Sequence, residues 1–303
     1  MRMNRLATII ALLLVLLGGG ETRGQSPLPP AAPVGKPGEL IRAMRELTDI
    51  NDTIPAFRAT LPSAFREVGR NEIDDAFGQL RPVMERLRRA RALFADDSVR
   101  IVHIGDSHVR GHLFPQATGN RLKETFGKVS YVDMGVNGAT CITFTHPERV
   151  EQIAALRPEL LILSFGTNES YNRRYNAAAH YRQIDELVNL LRQAMPDVPI
   201  LLTTPPGSYD RFRRRGRRTR YAVNPRVQAA ADVIRRYAGD HQLAVWDMFA
   251  AVGGDKRACV NWTDAKLMRP DHVHFLPEGY ALQGDLLYEA FIKAYNRYVS
   301  ALQ

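Results

Sequence analysis

From about residue 99 onward the chain alternates between two hydrophobic periods, and that alternation leaves few folds open. Residues 99–104, 129–134, 160–165, 200–204 and 243–248 are short, near-continuous apolar runs, the pattern of strands buried on both faces of a parallel sheet. Amphipathic stretches lie between them at 116–126, 147–156, 177–194 and 225–237. Pro277 is suited to the first turn of a last helix running towards Tyr298. Strands alternating with helices in this way predict a doubly wound three-layer α/β/α sandwich around a five-stranded parallel sheet.

The chain in front of this region is of a different kind. Arg2 and Arg5 precede an apolar run at 6–17 and three glycines at 18–20, so residues 1–25 read as a secretory signal peptide. The run is short for a bilayer span, and contact with a membrane is expected only if this segment stays uncleaved. Residues 26–38 read as an extended Pro/Ala-rich linker. Residues 39–97 carry Leu80, Val83, Met84 and Leu87 at helical spacing, interrupted by Pro55, Pro62 and Pro82. They are expected to form a helical N-terminal extension on an α/β domain spanning 98–303. The expected location is periplasmic or secreted. In that setting Cys141 and Cys259 read as two small buried side chains, with a disulfide between them as the alternative.

A composition of 45% hydrophobic and 24% charged residues suits a chain that buries a core. The formal net charge of +9 is concentrated. Residues 211–220 hold seven arginines, too many to bury, and read as an exposed loop or hairpin tip. Such a run is either merely solvated or attracts an anionic polymer, which makes Arg214 and Arg215 candidate substrate-binding residues. Nucleic acid is not expected as a partner: export argues against it and no recognition fold for it is visible.

In an open α/β sheet, ligands bind beyond the carboxyl ends of the strands, and four motifs stand at such positions. Gly105-Asp106-Ser107-His108 ends the first apolar run. Gly135-Val136-Asn137-Gly138-Ala139-Thr140 follows the second, and Ser164-Phe165-Gly166-Thr167-Asn168-Glu169 follows the third. Asp271-His272-Val273-His274 precedes the last helix. A serine hydroxyl attacks an ester only when an imidazole takes its proton and a carboxylate orients that imidazole, and the first and last motifs supply such a set. Taken singly, the glycine block reads as a turn, and Asn168 reads as a turn or cap residue. His108 is expected to line the substrate cleft, His103 to pack inside its strand, and Asp106 to anchor the turn. His272 is expected to point away from His274. A metal site from His108, His112, His272 and His274 lacks a recognised ligand spacing, and no metal or other cofactor is expected.

Together the four blocks resemble those of the SGNH (GDSL-type) hydrolases, which carry Ser, Gly, Asn and His in this order, and the resemblance runs over roughly residues 99–299. It implies a flavodoxin-like five-stranded sandwich, with Ser107 as nucleophile, His274 as general base and then acid, and Asp271 as orienting carboxylate. It also implies an oxyanion hole from the backbone N–H of Ser107, the backbone N–H of Gly138 and the side-chain amide of Asn168. An α/β-hydrolase does not fit, because the Gly-x-Ser-x-Gly elbow is missing and Ser107 follows the first strand. The first block ends in His where Leu is usual, and the third in Glu where Asp is usual. The Gly-Asp-Ser-His form looks most like secreted bacterial members that include peptidoglycan O-acetylesterases. Those often carry an insert after the first block that is missing here. The implied function is an exported serine esterase removing O-acyl groups, O-acetyl foremost, from an acylated cell-envelope polysaccharide. An O-acyltransferase, a lipase or lysophospholipase, and a non-catalytic wall-binding protein are the alternatives.

Overall fold

The computed structural model describes residues 53–92, 97–212 and 219–302, the side chain of Lys256 excepted. The expected signal peptide, the linker, the start of the N-terminal extension, and Arg214 and Arg215 all lie outside the described residues.

Six strands form one sheet: β1 (Ile73–Asp74), β2 (Val99–Gly105), β3 (Val129–Gly135), β4 (Leu160–Ser164), β5 (Ile200–Thr203) and β8 (Ala244–Trp246). Their order is β1-β8-β5-β4-β2-β3. The five strands expected from the apolar runs are parallel and follow the flavodoxin-like order. The sixth, β1, is an addition: Ile73 and Asp74 pair antiparallel with Trp246 and Val245. A further hairpin, β6 (Tyr209–Phe212) with β7 (Arg220–Val223), stands apart from the sheet and forms the two arms of the arginine-rich segment.

Strand alternation sorts the apolar side chains to opposite faces. On one face Ile101, Ile162, Leu201 and Trp246 join a core with Phe114 and Leu122 of helix α3 (Leu113–Phe126) and Leu287 and Phe291 of helix α10 (Pro277–Ser300). On the other, Val102, Ile104, Leu161, Leu163 and Leu202 meet Leu187 and Leu191 of α6 (Ala177–Ala194). Ile234 and Tyr237 of α7 (Arg226–Asp240) join the same core. Each such side chain contributes roughly 1.5–3 kcal/mol on leaving water. No helix among the described residues is long and apolar enough to cross a membrane.

The N-terminal extension departs from expectation. Between residues 53 and 80 there is no helix, and the one helix among the described residues of the extension is α1 (Arg81–Arg91), between β1 and β2, which Pro82 opens instead of breaking. Pro55 and Pro62 remove the N–H groups that a helix needs there. Side-chain amides supply the backbone partners instead. Asn296 Oδ1 accepts from Ile54 N at 2.8 Å while its Nδ2 donates to Ile54 O at 2.8 Å. Asn261 does the same for Arg66, at 3.0 and 2.8 Å.

Candidate active site

Strand β2 ends at Gly105, and the chain turns at once into the short helix α2 (Ser107–Arg110). Asp106 caps it, its Oδ1 accepting from His108 N at 2.9 Å, so Ser107 stands at the first helical position above the carboxyl edge of the sheet. The neighbours of β2 are β3 and β4. This is the point where strand order reverses, the position at which open α/β sheets bind their ligands. The approach of β3 to the nucleophile turn demands glycine at 135, since a Cβ there would sit 2.0 Å from Arg110 N.

The last motif lies in a tight loop closed by the Met268–Phe275 bridge and by Arg269 N donating to His274 O at 2.8 Å. Inside it, Asp271 Oδ1 accepts from Val273 N and His274 N, both at 2.9 Å. Its Oδ2 lies 2.9 Å from His274 Nδ1, and His274 Nε2 lies 3.0 Å from Ser107 Oγ. A carboxylate can only accept, so Nδ1 carries the proton and Nε2 is free to accept from the serine hydroxyl. Burial pushes the Asp271 carboxyl up, but the N–H groups of His274 and Val273 and the His274 ring outweigh it and hold it below the ordinary value. The arrangement can draw a proton from Ser107 and stabilise the resulting imidazolium.

Gly138 occupies the left-handed region at φ 73° in the turn after β3, with open space where a Cβ would stand. Among the described residues, neither its N–H nor that of Ser107 has an acceptor. Asn168, on α5 (Thr167–Tyr171), donates to Ala139 O at 2.9 Å and sits 3.4 Å from Asp106 Oδ2. The amide is thus tied to both the glycine turn and the residue before the nucleophile. Ser107 and Gly138 keep unengaged backbone N–H groups, and the Asn168 amide is linked to the segments that carry both.

Asp106 is buried, and burial raises its carboxyl to about 7 against the pull of the His108 N–H. Nearby Glu169 raises it further. Glu169 itself spans two loops: Oε1 accepts from Cys141 N and Oε2 from Gly166 N, each at 2.9 Å. The glutamate that departs from the family pattern therefore holds the glycine turn and the asparagine loop together, a role its position alone does not signal.

His108 does not line an open cleft. The helix turns its side chain about 100° from that of Ser107, and it is buried, with Nδ1 3.1 Å from Tyr280 Oη and its ring beside His274 and Phe275. Burial, with His274 adding to it, lowers His108 to about 3. His103 is a packed strand residue, bonded to Tyr131 Oη and Ser164 Oγ and lowered to about 3 by burial. His112 bonds Asp133 and Arg110. His272 faces away from the site: its ring packs 4.2 Å from Tyr221 and 5.2 Å from Tyr209, and its carbonyl accepts from Tyr209 N at 3.0 Å. Hairpin β6–β7 thus buttresses the loop holding Asp271 and His274, a contact between distant segments that local sequence does not reveal. Cys141 and Cys259 are both buried free thiols.

The sequence pattern of the GDSL-like lipase/acylhydrolase family matches residues 103–282. No curated protein matches the sequence. Among solved structures, a peptidoglycan O-acetylesterase aligns with a TM-score of 0.64 at 17% identity, over 74% of this chain and 99% of its own. A lipase/acylhydrolase from Enterococcus faecalis aligns at 0.47 and 21% identity, over 64% and 96%. A carbohydrate esterase family 3 structure from Talaromyces cellulolyticus aligns at 0.45 and 15% identity, over 66% and 99%. With its four motifs gathered at the switch point of a flavodoxin-like sheet, this chain belongs to the GDSL-like lipase/acylhydrolase family of SGNH hydrolases and is a carboxylic-ester hydrolase.

Proposed function

We propose that the chain is an exported serine esterase that hydrolyses O-acyl esters, O-acetyl foremost, on a cell-envelope glycan such as peptidoglycan. The observation that carries the chemistry is the unbroken path from Ser107 Oγ through His274 to Asp271. Ser107 Oγ bonds to the ester carbonyl carbon as its proton passes to His274 Nε2. The N–H groups of Ser107 and Gly138 and the amide of Asn168 receive the charge that develops on the carbonyl oxygen, each such donor supporting about 3 kcal/mol of barrier lowering. His274 then protonates the departing sugar oxygen. A water molecule, deprotonated by the same imidazole, releases the carboxylate and restores Ser107.

The substrate half rests on other features. The fold is shared with a peptidoglycan O-acetylesterase over nearly all of that protein. The hairpin arms carry Arg211 and Arg220 and an exposed Phe212, suited to a polymeric, anionic ligand. The basic and apolar segment at residues 2–17 motivates export.

Acetate release from O-acetylated peptidoglycan, followed by mass analysis of the fragments, tests this reading. Wild type is expected to remove acetyl groups and Ser107→Ala to remove none. Intact polymer alongside rapid cleavage of a small chromogenic acetate would overturn the substrate assignment. Acetyl transfer to an added glycan in place of free acetate would overturn hydrolysis.

A further inference from the structure

Beneath the oxyanion turn lies a cluster that the ester chemistry does not use. Cys141 in the 3-10 turn Cys141–Phe144, Glu169 of α5 and His180 of α6 come from three separate stretches of chain. The thiol sulfur, a carboxylate oxygen and an imidazole nitrogen lie within 4.8 Å of one another. All three residues are buried, at 2%, 6% and 2% exposure.

The hydrogen bonding of this cluster is incomplete in one direction. Tyr175 Oη lies 3.0 Å from His180 Nδ1 and holds the ring from behind. His180 Nε2 is buried without any hydrogen-bond partner, and buried polar atoms in native proteins rarely go unpaired. In the tautomer whose Nδ1–H donates to Tyr175 Oη, Nε2 presents a lone pair and no proton. A histidine fixed through one nitrogen by an outer partner, with the other left bare, is the arrangement of a metal ligand. Glu169 accepts one backbone N–H on each oxygen, and each oxygen retains a second lone pair.

We propose that Cys141, Glu169 and His180 form a structural site for a thiophilic divalent cation, Zn2+ foremost. A mixed sulfur, nitrogen and oxygen set suits zinc, whereas Ca2+ and Mg2+ take oxygen ligands. Binding breaks the Cys141 S–H bond, forms a sulfur–metal bond and sends the proton to solvent. Thiolate, carboxylate and dication then sum to zero, which suits a buried site, and a water molecule supplies the fourth ligand of the tetrahedron. Zinc ligands stand about 2.0–2.3 Å from the ion, so the cluster contracts modestly on loading. The bound ion would join α6 to the turn after Gly138 and to the helix bearing Asn168, bracing two of the three oxyanion donors from below.

The full-length protein, stripped with chelator, is titrated with Co2+ and in parallel refolded in its presence. The expected result is one Co2+ per chain, a thiolate-to-cobalt charge-transfer band, tetrahedral visible bands, and displacement of both by Zn2+. Cys141→Ser is expected to abolish the charge-transfer band. His180→Gln is expected to weaken uptake at least tenfold, with circular dichroism confirming that both variants fold. Tyr175→Phe, which keeps all three ligands, is expected to weaken uptake by about tenfold. Failure of wild type to take up one equivalent by either route would overturn the proposal, as would uptake unchanged in both ligand variants. The readout is spectroscopic, so it stands or falls independently of which ester the enzyme cleaves.

Discussion

Replacing Asp271 by Asn alters one atom of the site and leaves its scaffold in place. Asn keeps an oxygen where Oδ1 accepts from Val273 N and His274 N at 2.9 Å, so the loop retains its shape. At the other position an N–H donor replaces the acceptor that faces His274 Nδ1 at 2.9 Å. The imidazole then places its proton on Nε2, which lies 3.0 Å from Ser107 Oγ and can no longer accept. The imidazolium formed during attack also loses its counter-charge. Two unit charges about 4 Å apart at an effective dielectric near 20 attract by about 4 kcal/mol. Asp271 is about half exposed, so solvent screens part of that figure. Even about 3 kcal/mol is roughly a 150-fold loss, and the wrong tautomer adds to it, for an expected fall in kcat of about 10³ to 10⁴. Steady-state hydrolysis of p-nitrophenyl acetate measures kcat and KM, and thermal unfolding measures stability. KM and Tm are expected to stay near wild type. A kcat within tenfold of wild type would refute the assignment of Asp271 as the orienting carboxylate.

Other outcomes follow from the same geometry. Gly135→Ala forces a Cβ to 2.0 Å from the Arg110 backbone and is expected to abolish soluble folded protein. Gly138→Ala meets open space and only left-handed strain, costing about 1–2 kcal/mol, with a lower kcat on a folded scaffold; equal Tm losses for the two would contradict this contrast. Asp106 loses its proton near 3.8 when unfolded and at about 7 when folded. The folded state therefore binds the extra proton between those values, and this residue's contribution falls as pH rises from about 4 to 7, by up to about 4 kcal/mol. In Asp106→Asn that part of the slope disappears, so chemical denaturation curves for the two proteins should diverge across this range; parallel curves would refute it. Tyr221→Ala removes the ring 4.2 Å from His272 and is expected to lower kcat about tenfold through the loose catalytic loop, on the scale of small misplacements of catalytic groups. Unchanged kcat and an unchanged pH profile would show that the hairpin is not a buttress.

The parallel core was legible because its signals are local. Each apolar run marks a strand to within two residues at either end, and α6 begins and ends where its pattern does, with Asn176 capping it. Ser107, Asp271 and His274 could be singled out because their chemistry is distinctive, and they do lie within hydrogen-bond reach of one another. Read alone, Gly138 and Asn168 are a turn and a cap, and only the resemblance to the family's blocks singled them out. What escaped altogether depends on partners far along the chain. Strand β1 is two residues long and exists only through Val245 and Trp246. The course of residues 53–80 is set by amides of Asn261 and Asn296 about 200 positions away. The burial of His108 depends on Tyr280, and the clamp formed by Glu169 on the positions of Cys141 and Gly166. None of these leaves a periodic trace.

Ser107 as the nucleophile is the claim on which the rest depends, and a fluorophosphonate probe tests it most directly. Labelled protein is digested and the modified residue located by tandem mass spectrometry, with residual esterase activity followed in the same sample. One adduct per chain on Ser107, with activity lost in proportion, is the predicted result. Full loss of activity with the adduct on another residue, or an active enzyme that takes no label, would contradict it.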